Sequence, residues 1–364
     1  MAASRILRSG ITLSTPAVDL LAAVGLISDR QSVPAHLQLY TTQADRALAE
    51  VRQLFDDGSM SREAAQAYQQ LLVDAAARVI FHPIVAANRY LQRFAQGITF
   101  AQARHELQQF SVFAAQFDVA QAKLVANAPT EEAYDERLKV LLNEKGIPYE
   151  HGFEGELTGK WGRETIHFTW LRRMADGLGL SFAELGKIWI GLPGTAAFVH
   201  ATFDCYASTD QNTALGASFG IENWAANSLW KPWIAGMKTL NATLAKPVHL
   251  GYITYHDSEE EHHSQATLDE LLENFREPWF DADKFLAGAE QILTEGVQAY
   301  YTSQLATLPE KDATWPDSAW TPRPVDPASL PRLAVADMER DSRPLPVQVL
   351  SGEVDGATDV VVPH

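Results

Sequence analysis

Apolar residues recur at three- and four-residue steps through most of the chain before residue 307, a spacing that gathers them on one face of an α-helix. Two such stretches, 42–58 and 61–80, come first. A third, 82–97, follows with Pro83 at a position suited to a first helical turn. A long amphipathic helix is expected over 99–129. Alternating β-branched runs are nearly absent before residue 330, so the pattern predicts an all-α body.

Further helices are predicted at about 131–145, 161–177, 181–190, 195–208, 211–227, 228–245, 249–275 and 282–306. The first forty residues show no firm pattern, and no element is assigned to them. Residues 307–364 hold nine of the chain's eighteen prolines. Because proline cannot continue a helix, this stretch is predicted to be an extended arm or a partly disordered tail, with a short hairpin near its end.

Composition narrows the classes of partner and of metal site. The formal net charge of the 364 residues is −17, which argues against nucleic acid or an anionic membrane, since both are bound through clustered Lys and Arg. Cys205 is the sole cysteine, so any metal site here must use His, Asp and Glu. The apolar patch 17–27 carries an Asp and is too short to span a bilayer. We expect a soluble, cytoplasmic protein.

The stretch "HDSEEEHH", residues 256–263, packs three histidines and four acids into eight positions. On a helix, His256, Glu260 and His263 lie at i, i+4 and i+7 and share a face that continues to apolar or hydroxyl-bearing positions on both sides. Two imidazoles flanking a carboxylate suit iron, manganese or zinc. Taken alone, an acidic run of this kind is more often a solvated helix face.

Two other segments place acids on apolar stripes. Glu164 and His167 form Glu-x-x-His, an i, i+3 pair on the stripe that continues to Leu171, and inward Glu-x-x-His pairs build dimetal centres in helix bundles. Glu222 lies in line with Phe219, among small residues that let helices approach closely. The plainer interpretation of Glu222 is a helix cap or a surface acid.

Together the three segments supply three imidazoles and three carboxylates, enough to give each of two metal ions three protein ligands. The charge of −3 nearly offsets the +4 of two ferrous ions and leaves open positions for O2, water and an anionic substrate. The six predicted ligands are Glu164, His167, Glu222, His256, Glu260 and His263.

The order Glu-x-x-His, a lone Glu, then His-x-x-x-(Asp/Glu)-x-x-His resembles the haem-oxygenase-like diiron oxidases and oxygenases. This superfamily shares the fold of TenA- and PqqC-like proteins and includes UndA-, BesC- and N-oxygenase-type enzymes. The "HP" at His82, which opens a helix, also resembles the first helix of that fold. The resemblance covers about 79–306 and implies a haem-oxygenase-like helical bundle, with 1–78 as an N-terminal helical extension and 307–364 as a proline-rich C-terminal arm.

The resemblance also implies a division of the ligands. Glu164 and His167 would join His256 on the first iron, and the remaining three residues would bind the second. The family usually has Asp where this chain has Glu260, and the extra methylene leaves open another binding mode or a weaker second site. A register that uses Glu259 instead is the alternative.

By resemblance, the protein is expected to be a non-haem diiron oxidoreductase that uses two Fe(II) ions and O2. Its substrate would be a small carboxylate-bearing molecule, an amino acid or a fatty acid in natural product biosynthesis. It would undergo C–H abstraction with desaturation or fragmentation, or N-oxygenation. The alternatives are a TenA- or PqqC-like enzyme without a diiron centre, with Cys205 as a candidate nucleophile, and a non-catalytic helical interaction protein. The N-terminal helices are expected either to form a homodimer or to cover the active-site mouth.

Overall fold

The computed structural model describes residues 11–28, 33–151 and 154–306, and the side chain of Glu260 lies outside the described residues. Within these ranges the protein is all-α, as the sequence pattern predicted. The predicted C-terminal arm and its hairpin lie outside the described residues.

Helices account for most of the described chain. They are α1 (Ala17–Ala23), α2 (Ala35–Asp56), α3 (Arg62–Ala75), α4 (Pro83–Ala86), α5 (Arg89–Gln96), α6 (Phe100–Ala126), α7 (Glu131–Glu144), α8 (His167–Gly177), α9 (Pro193–Ala201), α10 (Gln211–Trp224), α11 (Trp230–Asn241), α12 (Gly251–Phe275), α13 (Ala282–Gln291) and α14 (Ala299–Leu305). Four of them continue into π-helical segments, Ala76–Ile80, Thr202–Tyr206, Ala225–Leu229 and Ile292–Gln298.

The described residues form one small two-stranded sheet, a β-hairpin that the sequence pattern did not predict. Its strands β1 (Tyr149–His151) and β2 (Glu154–Leu157) are antiparallel, with Tyr149 opposite Leu157. The hairpin follows α7 directly, so it returns the chain toward the end of that helix.

The N-terminal helices extend further than predicted. The pattern left 1–40 unassigned, yet α1 lies within it and α2 begins at Ala35. The β-branched pair Thr41 and Thr42 interrupts the apolar spacing there. Both hydroxyls donate hydrogen bonds to carbonyls one turn back, Leu37 O and Gln38 O, which satisfies them inside the helix.

The helix predicted over 82–97 is broken between Ala86 and Arg89, and two other predicted helices are wrong in extent. The stretch 181–190 forms only short 3-10 turns, Phe182–Glu184 and Ile188–Ile190, the first closed by a capping box in which Ser181 and Glu184 bond each other. The stretch 161–177 becomes α-helical only at His167, because Ile166 is extended with ψ 124°. The difference at 161–177 changes the candidate site.

Helix α12 packs against α2, α8, α10 and α11. It therefore brings side chains from several helices close to the stretch 256–263. Helix α10 in turn crosses α13 so closely that a Cβ on Gly216 would stand 1.8 Å from Phe285 O, and one on Gly288 would stand 2.4 Å from Thr213 O. The small residues around Glu222 therefore allow a close helix crossing, as the sequence predicted.

Among the described residues, no single helix has the length and apolar character needed to cross a bilayer. One bent pair, Arg62–Ile80 with Pro83–Gln96 at 64°, meets the criterion by length and composition alone.

Candidate metal centre

His256 lies on the buried face of α12. Tyr252 and Leu271, one turn before and four turns after it, are 6 % and 0 % exposed, so the stripe predicted from the sequence does face the core. His256 Nδ1 is 2.7 Å from the carbonyl oxygen of Tyr252. A carbonyl can only accept, so Nδ1 carries the proton and donates it. This leaves the Nε2 lone pair of His256 free to bind a metal ion.

The environment of His256 keeps its imidazole neutral. Burial lowers its pKa to about 4, and the charge of His167 contributes in the same direction. The ring stacks on Trp230 with centroids 5.0 Å apart and contacts Tyr252 at 4.4 Å. A neutral imidazole is the form that binds a metal ion, so no proton has to be displaced from His256 at neutral pH.

His167 is the first residue of α8 and is 2 % exposed. Its ring stacks on Trp170, with centroids 4.8 Å apart, and meets the ring of His256 edge-on at 5.1 Å. The extended conformation of Ile166 immediately before it turns the chain inward at this point. Packing against aromatic rings on two sides fixes the orientation of the imidazole.

Glu144 completes the group, and the sequence pattern did not select it. It is the last residue of α7, which ends in a Schellman motif: Ile147 N donates to Leu142 O at 3.0 Å and Gly146 N donates to Asn143 O at 2.9 Å. Gly146 takes the left-handed conformation that this motif requires, with φ +98°. The turn places the Glu144 carboxylate against His167.

The contact between Glu144 and His167 has an unusual geometry. Glu144 Oε1 and His167 Nδ1 are 2.9 Å apart, yet Nδ1 is buried and has no partner in hydrogen-bond geometry among the described residues. Two ligand atoms bound at right angles to one ion, each about 2.1 Å from it, are about 3.0 Å apart. The spacing therefore fits two neighbouring ligands of one ion.

One ligand atom from each of Glu144, His167 and His256 can be chosen so that all three lie within 4.8 Å of one another. Ligands on opposite sides of an ion are about 4.2 Å apart, so small side-chain rotations close the group around a single centre. Two imidazoles and one carboxylate with open positions form the ligand set of non-haem iron oxygenases. The donor set and its spacing fit a first-row divalent ion.

The charge of Glu144 is stabilised by the imidazoles around it. Burial by itself raises the pKa of this carboxyl, but His167 first, then His256 and His263, together lower the pKa to about 2. Glu144 is therefore a carboxylate throughout the physiological range. An acid at the carboxyl end of a helix also opposes the helix dipole, so its position is locally unfavourable and needs such compensation.

Glu222 and His263 form a second group next to the first. His263 Nδ1 is 3.5 Å from Glu222 Oε2, and the two side chains are 28 % and 16 % exposed. His263 is close enough for its charge to lower the pKa of both Glu144 and His256. The side chain of the predicted neighbour Glu260 lies outside the described residues, so its part in this group stays a prediction. Glu259 accepts a hydrogen bond from the Ser258 hydroxyl at 3.0 Å.

Glu164 does not lie in the group. The prediction that it shares a helix face with His167 is wrong, because the extended Ile166 separates the 3-10 turn Arg163–Thr165 from α8. The carboxylate of Glu164, 69 % exposed, pairs instead with Arg173. Of the six predicted ligands, His167 and His256 converge with Glu144, and Glu222 and His263 form a separate pair.

The turn that carries Glu144 is clamped to the segment before His167. Gly146 O accepts hydrogen bonds from Gly162 N at 3.0 Å and from the Thr165 hydroxyl at 2.7 Å. Trp161 Nε1 donates to Lys145 O at 3.0 Å. These bonds hold the end of α7 against the start of α8, so Glu144 and His167 are positioned by the same clamp.

Replacing Gly146 by alanine is expected to loosen this clamp and lower the free energy of unfolding by about 2 kcal/mol or more. Its φ is +98°, and the new Cβ would stand 2.5 Å from Gly162 O. Gly159 is the matched control, with φ +67° and no heavy atom within 4 Å of an added Cβ, so its alanine variant should lose only about 1 kcal/mol. Urea denaturation of both variants measures the difference, and equal losses would contradict the clamp.

Sequence reasoning offered only a weak signal for Glu144. The segment "LLNEKGIP" places an acid at the end of a predicted helix just before Lys-Gly, where the helix dipole favours a cation. The hydrogen bonds that hold Glu144 near His167 are donated from outside that segment, by Gly162 N and the Thr165 hydroxyl. Partners so far apart along the chain leave no spacing pattern.

No protein-family model matches the chain, and a search of curated proteins found no significant match.

Proposed function

We propose that this protein is an O2-dependent oxidase or oxygenase with non-haem iron bound in its helical bundle. The observation that carries the proposal is the convergence of Glu144, His167 and His256, whose ligand atoms lie within 4.8 Å of one another. The group joins two imidazoles and one carboxylate, a donor set suited to a divalent iron ion.

The proposed first iron site uses these three residues, and the second uses Glu222 and His263. The adjacency of the two groups supports a dinuclear centre, and Glu260 is the further ligand that the sequence resemblance proposes for the second ion. When bound, Fe(II) supplies the electrons and open coordination positions for the activation of O2. In this proposal the first carboxylate ligand is Glu144, whereas the resemblance implied Glu164.

The protein's own side chains would set the conditions of the chemistry. The Tyr252 carbonyl fixes the His256 tautomer, while Trp170 and Trp230 cover the faces of the two imidazoles. These rings exclude water from the faces they cover and so strengthen electrostatic interactions at the site. A small carboxylate-bearing substrate and its desaturation, fragmentation or N-oxygenation are proposed from the resemblance, as is a role in natural product biosynthesis.

The alternative of a TenA-like enzyme with a cysteine nucleophile gains no support from Cys205. The thiol is 1 % exposed, and burial raises its pKa to about 12, with the charges of Glu295 and Asp204 acting in the same direction. A thiol with this pKa remains protonated at neutral pH and is a poor nucleophile. Cytoplasmic location and a homodimer built through the N-terminal helices stay predictions.

Anaerobic loading with Fe(II), followed by measurement of iron per chain after gel filtration, tests the proposal. About two ions per chain are expected from the two groups described above. One tightly held ion would support a mononuclear centre at Glu144, His167 and His256. Absence of iron binding, together with no change in visible absorbance on exposure to O2, would favour the non-catalytic interaction protein.

A further inference from the structure

A buried carboxylate with two phenol partners lies in the core outside the metal centre. Glu106, on α6, is 1 % exposed. The Tyr90 hydroxyl donates to its Oε2 at 2.7 Å, and the Tyr300 hydroxyl donates to its Oε1 at 2.9 Å. Burying an acid is costly, and a glutamine would fill the same volume without a charge. The carboxylate can accept from both phenols and can take up a proton from either of them, which a glutamine could not do.

The protonation chemistry of this cluster favours transfer from phenol to carboxylate upon oxidation. Burial raises the pKa of Glu106 to about 7, although both phenol hydrogen bonds act in the opposite direction. Burial also raises the pKa of Tyr90 well above its usual value, so the phenol does not ionise by itself. A phenol that loses an electron becomes a strong acid, and Glu106 is a base at hydrogen-bond distance.

Aromatic rings connect this cluster to the metal centre. His256 stacks on Trp230 at 5.0 Å, and Trp230 stacks on Trp233 at 5.9 Å with an angle of 20° between the rings. Phe94 then bridges Trp233, at 6.4 Å, to Tyr90, at 5.9 Å. Tryptophan and tyrosine are the aromatic side chains that are most readily oxidised, so this line of rings suits stepwise electron transfer.

The far end of the line lies beside a cleft. A cleft of about 380 Å³ is lined by Tyr90, Phe94, Thr99 and Gln102, among others. Tyr90, which is 2 % exposed, borders this cleft and donates its hydroxyl to the buried carboxylate. Tyr300 bonds the same carboxylate but does not line this cleft.

We propose that Tyr90 and Glu106 form a proton-coupled redox site that delivers single electrons to the metal centre through Trp233 and Trp230. A small one-electron donor, bound in the cleft, would restore Tyr90. This inference depends on the proposed function, because the oxidant is the iron centre after its reaction with O2.

Tyr90 would give up one electron, which would pass through Trp233 and Trp230 to the oxidised iron that His256 would hold. The Tyr90 O–H bond breaks, and its proton moves to Glu106 Oε2. A neutral tyrosyl radical and a protonated Glu106 result. An electron from the donor in the cleft, together with return of the proton, regenerates both side chains.

Freeze-quench electron paramagnetic resonance of the full chain, loaded with Fe(II) and mixed with O2, tests this redox site. Wild type is expected to give a tyrosyl-radical signal. Tyr90→Phe should lose that signal, and Glu106→Gln should lose it too because the proton acceptor is gone. Tyr300→Phe is the matched control: it removes the other phenol from Glu106 and should keep the signal. Trp233→Phe, which removes no hydrogen bond to Glu106, should slow radical formation, and an unchanged rate would overturn Trp233 as the route.

Iron oxidation is followed by visible absorbance in the same samples, which separates the two proposals. If iron neither binds nor oxidises, the proposed function fails and this inference fails with it. If iron oxidises normally but wild type gives no tyrosyl radical, or Tyr90→Phe keeps the radical, the redox site alone is overturned. Loss of the radical in both Tyr90→Phe and Tyr300→Phe would also overturn Tyr90 as its seat.

Discussion

Replacing His256 with alanine is expected to weaken iron binding at the first site by more than about 100-fold, because loss of a residue that only hydrogen-bonds to a metal ligand already costs up to about 100-fold. His256 contributes a neutral imidazole whose Nε2 is left free by the hydrogen bond from Nδ1 to Tyr252 O. Its removal leaves Glu144 and His167 with no third donor within reach among the described residues. Anaerobic titration with Fe(II), read as iron retained after gel filtration, measures the effect.

His262→Ala is the matched control for that experiment. His262 lies on the same helix, in the same acidic run, but its side chain is exposed, so its replacement should leave iron stoichiometry and affinity near wild type. His256→Gln provides a second variant that fills more of the space beside Trp230 than alanine does. Wild-type iron affinity in both His256 variants would rule out the proposed first site.

Glu144→Gln is expected to lower iron affinity at the first site by more than about 100-fold, while Glu164→Gln leaves it within about twofold. Glutamine keeps the volume of the carboxylate but removes the negative charge that a divalent ion requires. Glu164 is exposed and paired with Arg173, an interaction that contributes under about 1 kcal/mol to stability. Its loss should therefore change neither folding nor metal binding.

This pair of variants decides between the structure and the sequence resemblance. Calorimetric titration with Fe(II) under anaerobic conditions gives the affinity of each variant. The reverse result, with Glu164→Gln defective and Glu144→Gln normal, would show that the Glu-x-x-His pair supplies the carboxylate and that Glu144 is only its neighbour. An equal loss of Fe(II) affinity in both variants would mean that Glu144 and Glu164 both contribute to metal binding.

The sequence predicted the presence of a helix and its buried face wherever the apolar periodicity within that one helix was enough to decide them. The stripe on α12 that contains His256 and Thr267 faces the core as expected, because helical periodicity alone decides which side chains share a face. The same holds for Phe219 and Glu222 on α10. Local capping signals also held, since His82 accepts a hydrogen bond from Ile84 N at 3.3 Å just before Pro83.

The prediction that failed near the site depended on a contact distant in sequence. The pattern of 161–177 is helical, but Gly146 O accepts two hydrogen bonds from this segment, from Gly162 N and the Thr165 hydroxyl. These bonds accompany an extended conformation at Ile166, and Glu164 ends on the surface. A chain segment adopts the conformation that satisfies its polar groups in the fold as a whole, and periodicity does not include that requirement.

The amino-acid sequence by itself determined the all-α class, the inward face of α12, the small residues that let α10 approach α13, and the choice of His, Asp and Glu as the metal donors open to this chain. These follow from local periodicity, residue volume and composition. Only the tertiary structure decided that Glu144 meets His167 and that Glu164 does not. That outcome rests on hydrogen bonds between the end of α7 and residues 161–165, and contacts between segments so far apart leave no periodic trace in either one.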